Sequence, residues 1–222
     1  MSYSELNRKI ITSIIEADVT LEDVENFLKK WLPHDLRAIA VDLPYLSYAK
    51  KVLKNSNTRL TAVASYPLGG MTTESKINQL EYAISKGADE IDVSMDYSAI
   101  KSGDFDRIAD EVSRIAKASE GKIEVIMIPM TYILTNEEKI KICKIIIDNG
   151  IKVIKTNSGF GAQTVPEDVI LIKRFFKSQL RIEVAGGVRT AQQAREYLGL
   201  GAEYIHTSTP DNILEVQSKE NK

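Results

Sequence analysis

The strongest constraint on this chain is an alternation of two hydrophobic periods. Short apolar runs of strand type recur along its length: KIITS (9–13), AIAVDL (38–43), LTAVAS (60–65), EIDVSM (90–95), IEVIMI (123–128), IKVIK (151–155), RIEVA (181–185) and EYIHT (203–207). Segments of helical period lie between them. LEDVENFLKKWL sets Leu21, Val24, Phe27, Leu28 and Trp31 at helical spacing, with Thr20 as a cap and Asp23 three residues on. NEEKIKICKIIIDNG is expected to be capped by Asn136 and stopped by Gly150. VPEDVILIKRFFKS has Pro166 suited to a first turn, and TAQQAREYLGLGA has Thr190 as its cap. Eight strand–helix alternations in 222 residues fit a closed parallel (β/α)8 TIM barrel. An open doubly wound sheet is the alternative and needs fewer strands. No linker interrupts the pattern, so residues 1–222 are expected to form a single barrel domain, with only QSKENK reading as a tail.

Composition narrows the function classes. The formal net charge is -2, which offers no basic surface for nucleic acid. The longest apolar runs, such as VIMIPM, are too short to span a bilayer, and MSYSELNRKI has no signal-peptide apolar region. Cys143 is the one cysteine, so no internal disulfide forms and a reducing cytoplasm is the simplest compartment. It lies in an Ile-rich helical pattern and reads as a core residue. His34 reads as a surface loop residue, and His206, near the last strand end, as a candidate ligand contact. The two histidines lack metal-ligand spacing, so neither a metal nor another cofactor is expected.

Barrel sites form at the C-terminal ends of the strands. Side chains alternate between faces along a strand. Asp92 and Glu183 therefore face away from the apolar residues beside them and into the barrel, and Lys155 ends a strand whose inner face is otherwise apolar. Ions inside a small barrel cost several kcal/mol each unless paired. They are either structural ion pairs or a functional cluster. A lysine in such a place can attack a carbonyl as the free amine and form an imine, which stabilises an adjacent carbanion or enamine. A carboxylate is then needed to move protons. TNSGFG (156–161), AGGVRT (185–190) and HTSTPDN (206–212) follow the sixth, seventh and eighth runs. Backbone amides of Gly186 and Gly187, the hydroxyls of Ser208 and Thr209, and Arg189 could hold a phosphate there. The glycine pair reads equally well as a turn fitted to helix packing. Asp42 ends the second run and reads equally as facing the site or as a cap or turn residue, while Tyr45 and Tyr97 follow strand ends, where core or rim packing is expected ahead of a substrate contact.

SYPLGGMTTESK (65–76), GADEIDVSMDYSAIKSGD (87–104), LTNEEKIKICKIIIDNGIKVIKTNSGFG (134–161), TVPEDV (164–169) and AGGVRTAQQA (185–194) together resemble the deoxyribose-phosphate aldolases, over about Ile10 to Thr209. That resemblance implies a metal-independent, Schiff-base barrel lyase. It would join acetaldehyde reversibly to glyceraldehyde 3-phosphate, giving 2-deoxyribose 5-phosphate. It implies Lys155 as the imine-forming lysine and Asp92 as the proton-transfer aspartate. Gly159, Gly186, Gly187, Arg189, Ser208 and Thr209 fall where the family holds the substrate phosphate. Four places depart from the family pattern. Glu183 stands for a second lysine, and Ile11-Thr12-Ser13 for an acidic–His–Thr pattern. VIMIPM lacks a lysine and a following glutamate, and His206 stands for a glycine. Glu183 is expected to act as a proton shuttle, in a Lys–Glu–Asp set similar to that of transaldolase, or to neutralise Lys155. The alternatives are an altered or inactive barrel that binds a phosphorylated sugar, and a Schiff-base aldolase with another donor. The expected partner is a small phosphorylated sugar, and barrels of this kind often form homodimers.

Overall fold

The computed structural model describes residues 3–214, so the terminal QSKENK lies outside the described residues. Eight parallel strands close into a barrel in chain order: β1 (Ile10–Ile14), β2 (Ala38–Val41), β3 (Arg59–Ala64), β4 (Glu90–Ser94), β5 (Glu124–Ile128), β6 (Val153–Lys155), β7 (Arg181–Ala185) and β8 (Tyr204–His206). The helices are α1 (Tyr3–Asn7), α2 (Leu21–Trp31), α3 (Leu46–Leu53), α4 (Thr73–Ser85), α5 (Tyr97–Lys101), α6 (Phe105–Ser119), α7 (Asn136–Asp148), α8 (Pro166–Phe176) and α9 (Ala191–Gly199). The (β/α)8 TIM barrel expected from the alternation is the fold observed.

The ends of the runs differ from the apolar pattern for local reasons. LTAVAS stops at Ala64 because Ser65 turns to φ 53°. IKVIK pairs only from Val153, because the Ile151 amide is donated back to the Ile146 carbonyl of α7 at 3.2 Å. AIAVDL ends at Val41, where Leu43–Tyr45 forms a 3₁₀ turn around Pro44. The cap of α7 is Thr135, not Asn136. Its Oγ1 accepts from the Glu138 amide at 3.2 Å, and the Glu138 carboxylate accepts from the Thr135 amide at 2.7 Å. Threonine three residues ahead of glutamate makes this reciprocal box, whereas Asn136 would pair with Lys139, which cannot accept. Thr20 and Thr190 cap α2 and α9 as expected, and Pro166 opens α8. His34 sits in a half-buried 3₁₀ turn with its ring 5.2 Å from that of Trp31, rather than in an exposed loop.

Strand alternation decides what fills the barrel. Residues paired across neighbouring strands share a face, which puts Thr61, Glu90 and Glu124 on one inner level. The same parity turns Asp92, Ile126, Val153, Lys155, Glu183 and His206 inward. Ile91, Val93, Ile154, Ile182 and Ile205 face out and are fully covered by the helices. Cys143 is buried on α7, as its helical setting suggests.

The N-terminal end of the barrel is closed by ions. Arg59 Nε lies 2.7 Å from Glu90 and its Nη2 2.9 Å from Glu124, while Arg37 Nη2 lies 3.1 Å from Glu90. Arg181 completes the layer by pairing with Glu124. This floor leaves the C-terminal end as the open mouth. Among the described residues no helix is long and apolar enough to cross a membrane. Replacement of Thr135 by Ala is expected to cost about 1 kcal/mol in urea unfolding, with the m-value unchanged. Asn136→Ala should stay within about 0.5 kcal/mol. Equal costs would return the cap to Asn136.

Candidate active site

Three strands bring the sequence-selected ions together. Lys155 ends β6, Asp92 is the middle residue of β4, and Glu183 is the register partner of Lys155 on β7. Lys155 Nζ donates to Asp92 Oδ2 at 2.7 Å, and Glu183 Oε1 lies 3.7 Å from Nζ. The fourth member is His206 of β8. Its Nδ1 lies 3.0 Å from Lys155 Nζ and 2.9 Å from Glu183 Oε1. Relative exposures are 1% for Lys155, 0% for Asp92, 1% for Glu183 and 7% for His206. Asp92 Oδ1 and Glu183 Oε2 are buried with no hydrogen-bond partner among the described residues.

Burial and mutual charge set the protonation of this cluster. Burial opposes the Lys155 cation, but the Asp92 and Glu183 carboxylates outweigh it and hold the amine protonated above its usual range. Burial pushes Glu183 up to about 7, with Lys155 pulling the other way. It also raises Asp92 against the pull of Lys155. Burial, reinforced by Lys155, lowers His206 to about 3, so the imidazole is neutral at physiological pH. Near neutrality the site holds Lys155 as an ammonium paired to Asp92, a neutral imidazole and a glutamate shared between its two forms.

His206 is the member that sequence spacing misses. No second histidine lies near it in the chain, yet the fold gathers one ligand atom each from Asp92, Glu183 and His206 within 4.8 Å. Such a set has metal-ligand chemistry. Lys155 Nζ stands between Asp92 and His206 and supplies the cation. The signal in the sequence is parity. In EYIHT, Ile205 faces the helices, so Tyr204 and His206 face inward.

A cavity of about 350 Å³ opens over the cluster at the C-terminal mouth. Its walls include Ser13, Tyr66, Ala185 and His206, and five of the residues expected to hold phosphate: Gly159, Gly186, Gly187, Arg189 and Ser208. Thr209 does not line it. Its amide is donated to Thr207 Oγ1 at 3.1 Å, so it shapes the turn after β8 instead. Glu16 also lies on the wall, so the mouth carries a carboxylate as well as Arg189. The Tyr66 ring centroid is 5.7 Å from Lys155 Nζ and 5.7 Å from the Phe160 ring, which meets it edge-on.

Glycine is required at 186. Its φ is 98°, and a Cβ there would stand 2.5 Å from the Ala162 carbonyl oxygen. A buried polar lattice fixes this approach. Thr156 Oγ1 accepts from the Ala185 amide at 3.0 Å, Thr164 Oγ1 donates to the Ala185 carbonyl at 2.6 Å, and Asn157 Nδ2 donates to Thr164 Oγ1 at 2.9 Å. The glycine pair thus serves as both turn and cavity wall.

Known proteins share this architecture. A sequence model of the DeoC/LacD family aldolases matches residues 5–203. A deoxyribose-phosphate aldolase of Dictyoglomus turgidum is 33% identical over 96% of this chain and 98% of its own. One from Finegoldia magna is also 33% identical, over 95% and 99%. Among solved structures, QR15, an aldolase, superposes with a TM-score of 0.91 at 27% identity, covering 98% of this chain and 97% of that one. The tetrameric deoxyribose phosphate aldolase of Aeropyrum pernix gives 0.89 at 22% identity, over 99% and 93%.

The shifted groups give opposing pH signatures in stability. Glu183 keeps its proton to about 7 when folded against 4.5 unfolded, so its contribution falls as pH rises across that interval. His206 takes up a proton at about 3 when folded against 6.5 unfolded, so its contribution rises with pH across that interval. The two oppose each other where the intervals overlap. Glu183→Gln removes the falling one. Urea unfolding of this variant between about pH 4.5 and 6.5 is expected to rise more steeply with pH than wild type. Parallel curves would contradict the assignment.

Proposed function

Because the chain belongs to the DeoC/LacD family of aldolases, we propose that it forms a Schiff base on Lys155 and reversibly cleaves 2-deoxy-D-ribose 5-phosphate to glyceraldehyde 3-phosphate and acetaldehyde. It is an aldolase, a lyase of carbon–carbon bonds. The observation that carries the site assignment is Lys155. A buried lysine ends a barrel strand, paired to Asp92 at 2.7 Å, beneath a glycine-walled cavity.

In the cleavage direction the free amine of Lys155 adds to the sugar aldehyde. The carbinolamine loses its hydroxyl as water, leaving a protonated imine. The bond between sugar carbons two and three then breaks towards the imine as the hydroxyl on carbon three gives up its proton. Glyceraldehyde 3-phosphate leaves, and the enamine takes a proton and is hydrolysed to acetaldehyde and the amine. Asp92 stands closest to Nζ and is assigned proton transfer there. Glu183, poised at about 7, can hold or release a proton at working pH and fits the shuttle role. The amides of Gly186 and Gly187, the Ser208 hydroxyl and the Arg189 guanidinium would take the phosphate, with Gly159 on the facing wall and Thr209 bracing the turn.

A second reading rests on the electrostatics of the resting site. Two carboxylates hold Lys155 as ammonium, which suits a barrel that binds a sugar phosphate without turnover, or one that acts on another donor. On either reading the chain is taken as one barrel domain. The buried lone thiol suits a reducing cytoplasm, and self-association as a homodimer is expected.

Borohydride added with acetaldehyde or the deoxysugar phosphate is expected to fix a mass adduct on Lys155. Lys155→Met should form none and lose turnover, while Asp92→Asn should lose roughly 10²–10⁴-fold in kcat. Absence of an adduct on folded wild-type protein overturns the mechanism. Thermal stabilisation by the sugar phosphate without turnover would favour the second reading.

A further inference from the structure

Lys155 is held protonated in the resting site, and an amine can attack a carbonyl only after a proton leaves it. Among the described residues, two groups stand within hydrogen-bond reach of Nζ: Asp92 Oδ2 at 2.7 Å and His206 Nδ1 at 3.0 Å. Asp92 is fully buried and does not line the cavity, so its proton transfer is confined to Nζ. Glu183, at 3.7 Å from Nζ, lies beyond hydrogen-bond distance and is also off the cavity wall. Of the four clustered residues, His206 alone lines the cavity. It is also the only one with two nitrogens on opposite edges of one ring. Nδ1 takes both contacts to the cluster.

We propose that His206 is a catalytic residue of the Schiff-base reaction, carrying a proton between Lys155 and a substrate oxygen in the cavity. This rests on the reading of Lys155 as the imine-forming amine. In the starting tautomer the Nδ1 lone pair accepts from the Lys155 ammonium, and Nε2 carries the hydrogen. One Nζ–H bond breaks as Nδ1–H forms. Nε2–H breaks as a bond forms between that hydrogen and the oxygen of the added carbonyl. The ring enters and leaves this step neutral, with its tautomer exchanged. The new Nδ1–H then donates to Glu183 Oε1, 2.9 Å away, which holds the second tautomer. The reverse exchange restores the first in the hydrolysis step: as water adds to the imine carbon, Nε2 takes a proton from that water and Nδ1–H returns its proton to the lysine nitrogen.

The surroundings fit such a relay. Titratable groups approach the imidazole from neighbouring strands, Lys155 of β6, Asp92 of β4 and Glu183 of β7, and Tyr66 shares the cavity wall with it. Burial and Lys155 keep the ring neutral against the pull of Asp92, and a neutral ring relays by tautomer exchange where an imidazolium cannot. Glu183 is then the positioning residue. As carboxylate it accepts from Nδ1–H in the second tautomer, whereas in the first the Nδ1 lone pair is taken by the Lys155 ammonium.

The test uses His206→Asn, which retains a polar group but cannot exchange protons, and His206→Ala, which opens space for added imidazole. With 2-deoxyribose 5-phosphate as substrate, both are expected to fall roughly 10²–10⁴-fold in kcat with KM little changed. The borohydride adduct on Lys155 should still form, but slowly. Imidazole should restore part of the His206→Ala rate, with the gain tracking the fraction of neutral imidazole. Turnover of either folded variant within about threefold of wild type would overturn the relay, given the usual size of acid–base catalysis. So would a loss that imidazole leaves untouched while the adduct forms at the wild-type rate. Failure of wild type itself to form the adduct would instead remove the Lys155 reading, and the relay with it.

Discussion

The ion pair between Lys155 and Asp92 is the interaction on which the interior of this barrel depends. Its nitrogen and oxygen lie 2.7 Å apart at 1% and 0% side-chain exposure. Removing either ion from water costs several kcal/mol, so neither would persist there without the other. Opposite charge recovers part of that cost, but not all hydrogen-bonding capacity is met. Asp92 Oδ1 and Glu183 Oε2 remain without protein partners. A site optimised for stability alone would have filled this volume with aliphatic side chains. One that must address a carbonyl substrate benefits from acceptors that are already desolvated and aimed.

Strand register makes that placement possible. Parallel pairing sets Lys155 beside Glu183, and Ala185 beside His206, so small and large inward side chains alternate near the mouth. The Arg37, Arg59 and Arg181 guanidiniums close the other end with Glu90 and Glu124. The barrel therefore carries two ionic layers. The lower is dominated by arginines, which stay charged and supply structure. The upper sets Glu183, whose protonation the interior moves to about 7, beside a lysine held as ammonium and a neutral imidazole.

The fold was legible because strand and helix periods differ and each run was bounded by its own turn residues. Asp92 and Glu183 were legible for the same reason, since an acid between two outward isoleucines or valines has only the interior to face. Boundaries were less so. Whether Ile151 belongs to a strand is settled by its amide bond to Ile146, which no apolar pattern records. The α7 cap went to Thr135 because glutamate at the third helical position rewards threonine, a pairing that outweighs asparagine's own preference for caps. His206 was placed near the mouth, but its partners were not foreseen. Spacing rules for histidine look along the chain, and its neighbours come from β6 and β7. Thr209 reads as a ligand hydroxyl in sequence, but its turn to Thr207 takes it off the wall.

Glu183 and His206 make best sense as one change rather than two. Glu183 stands where the resembling family carries a lysine, and a cation there would weaken the hold on the Lys155 proton. A carboxylate does the opposite and strengthens it. Alone, that substitution would leave the amine locked as ammonium and an acid buried beside it. With His206 Nδ1 at 2.9 Å, the acid gains a partner that its own charge state need not match, because imidazole donates or accepts there. The same ring stands 3.0 Å from the lysine and borders the cavity. The carboxylate that raises the cost of freeing the amine is thus bonded to a group placed to receive the proton. Where a second lysine would lower the amine's affinity for its proton, this arrangement leaves that affinity high, and the relay we propose gives the proton its path to leave.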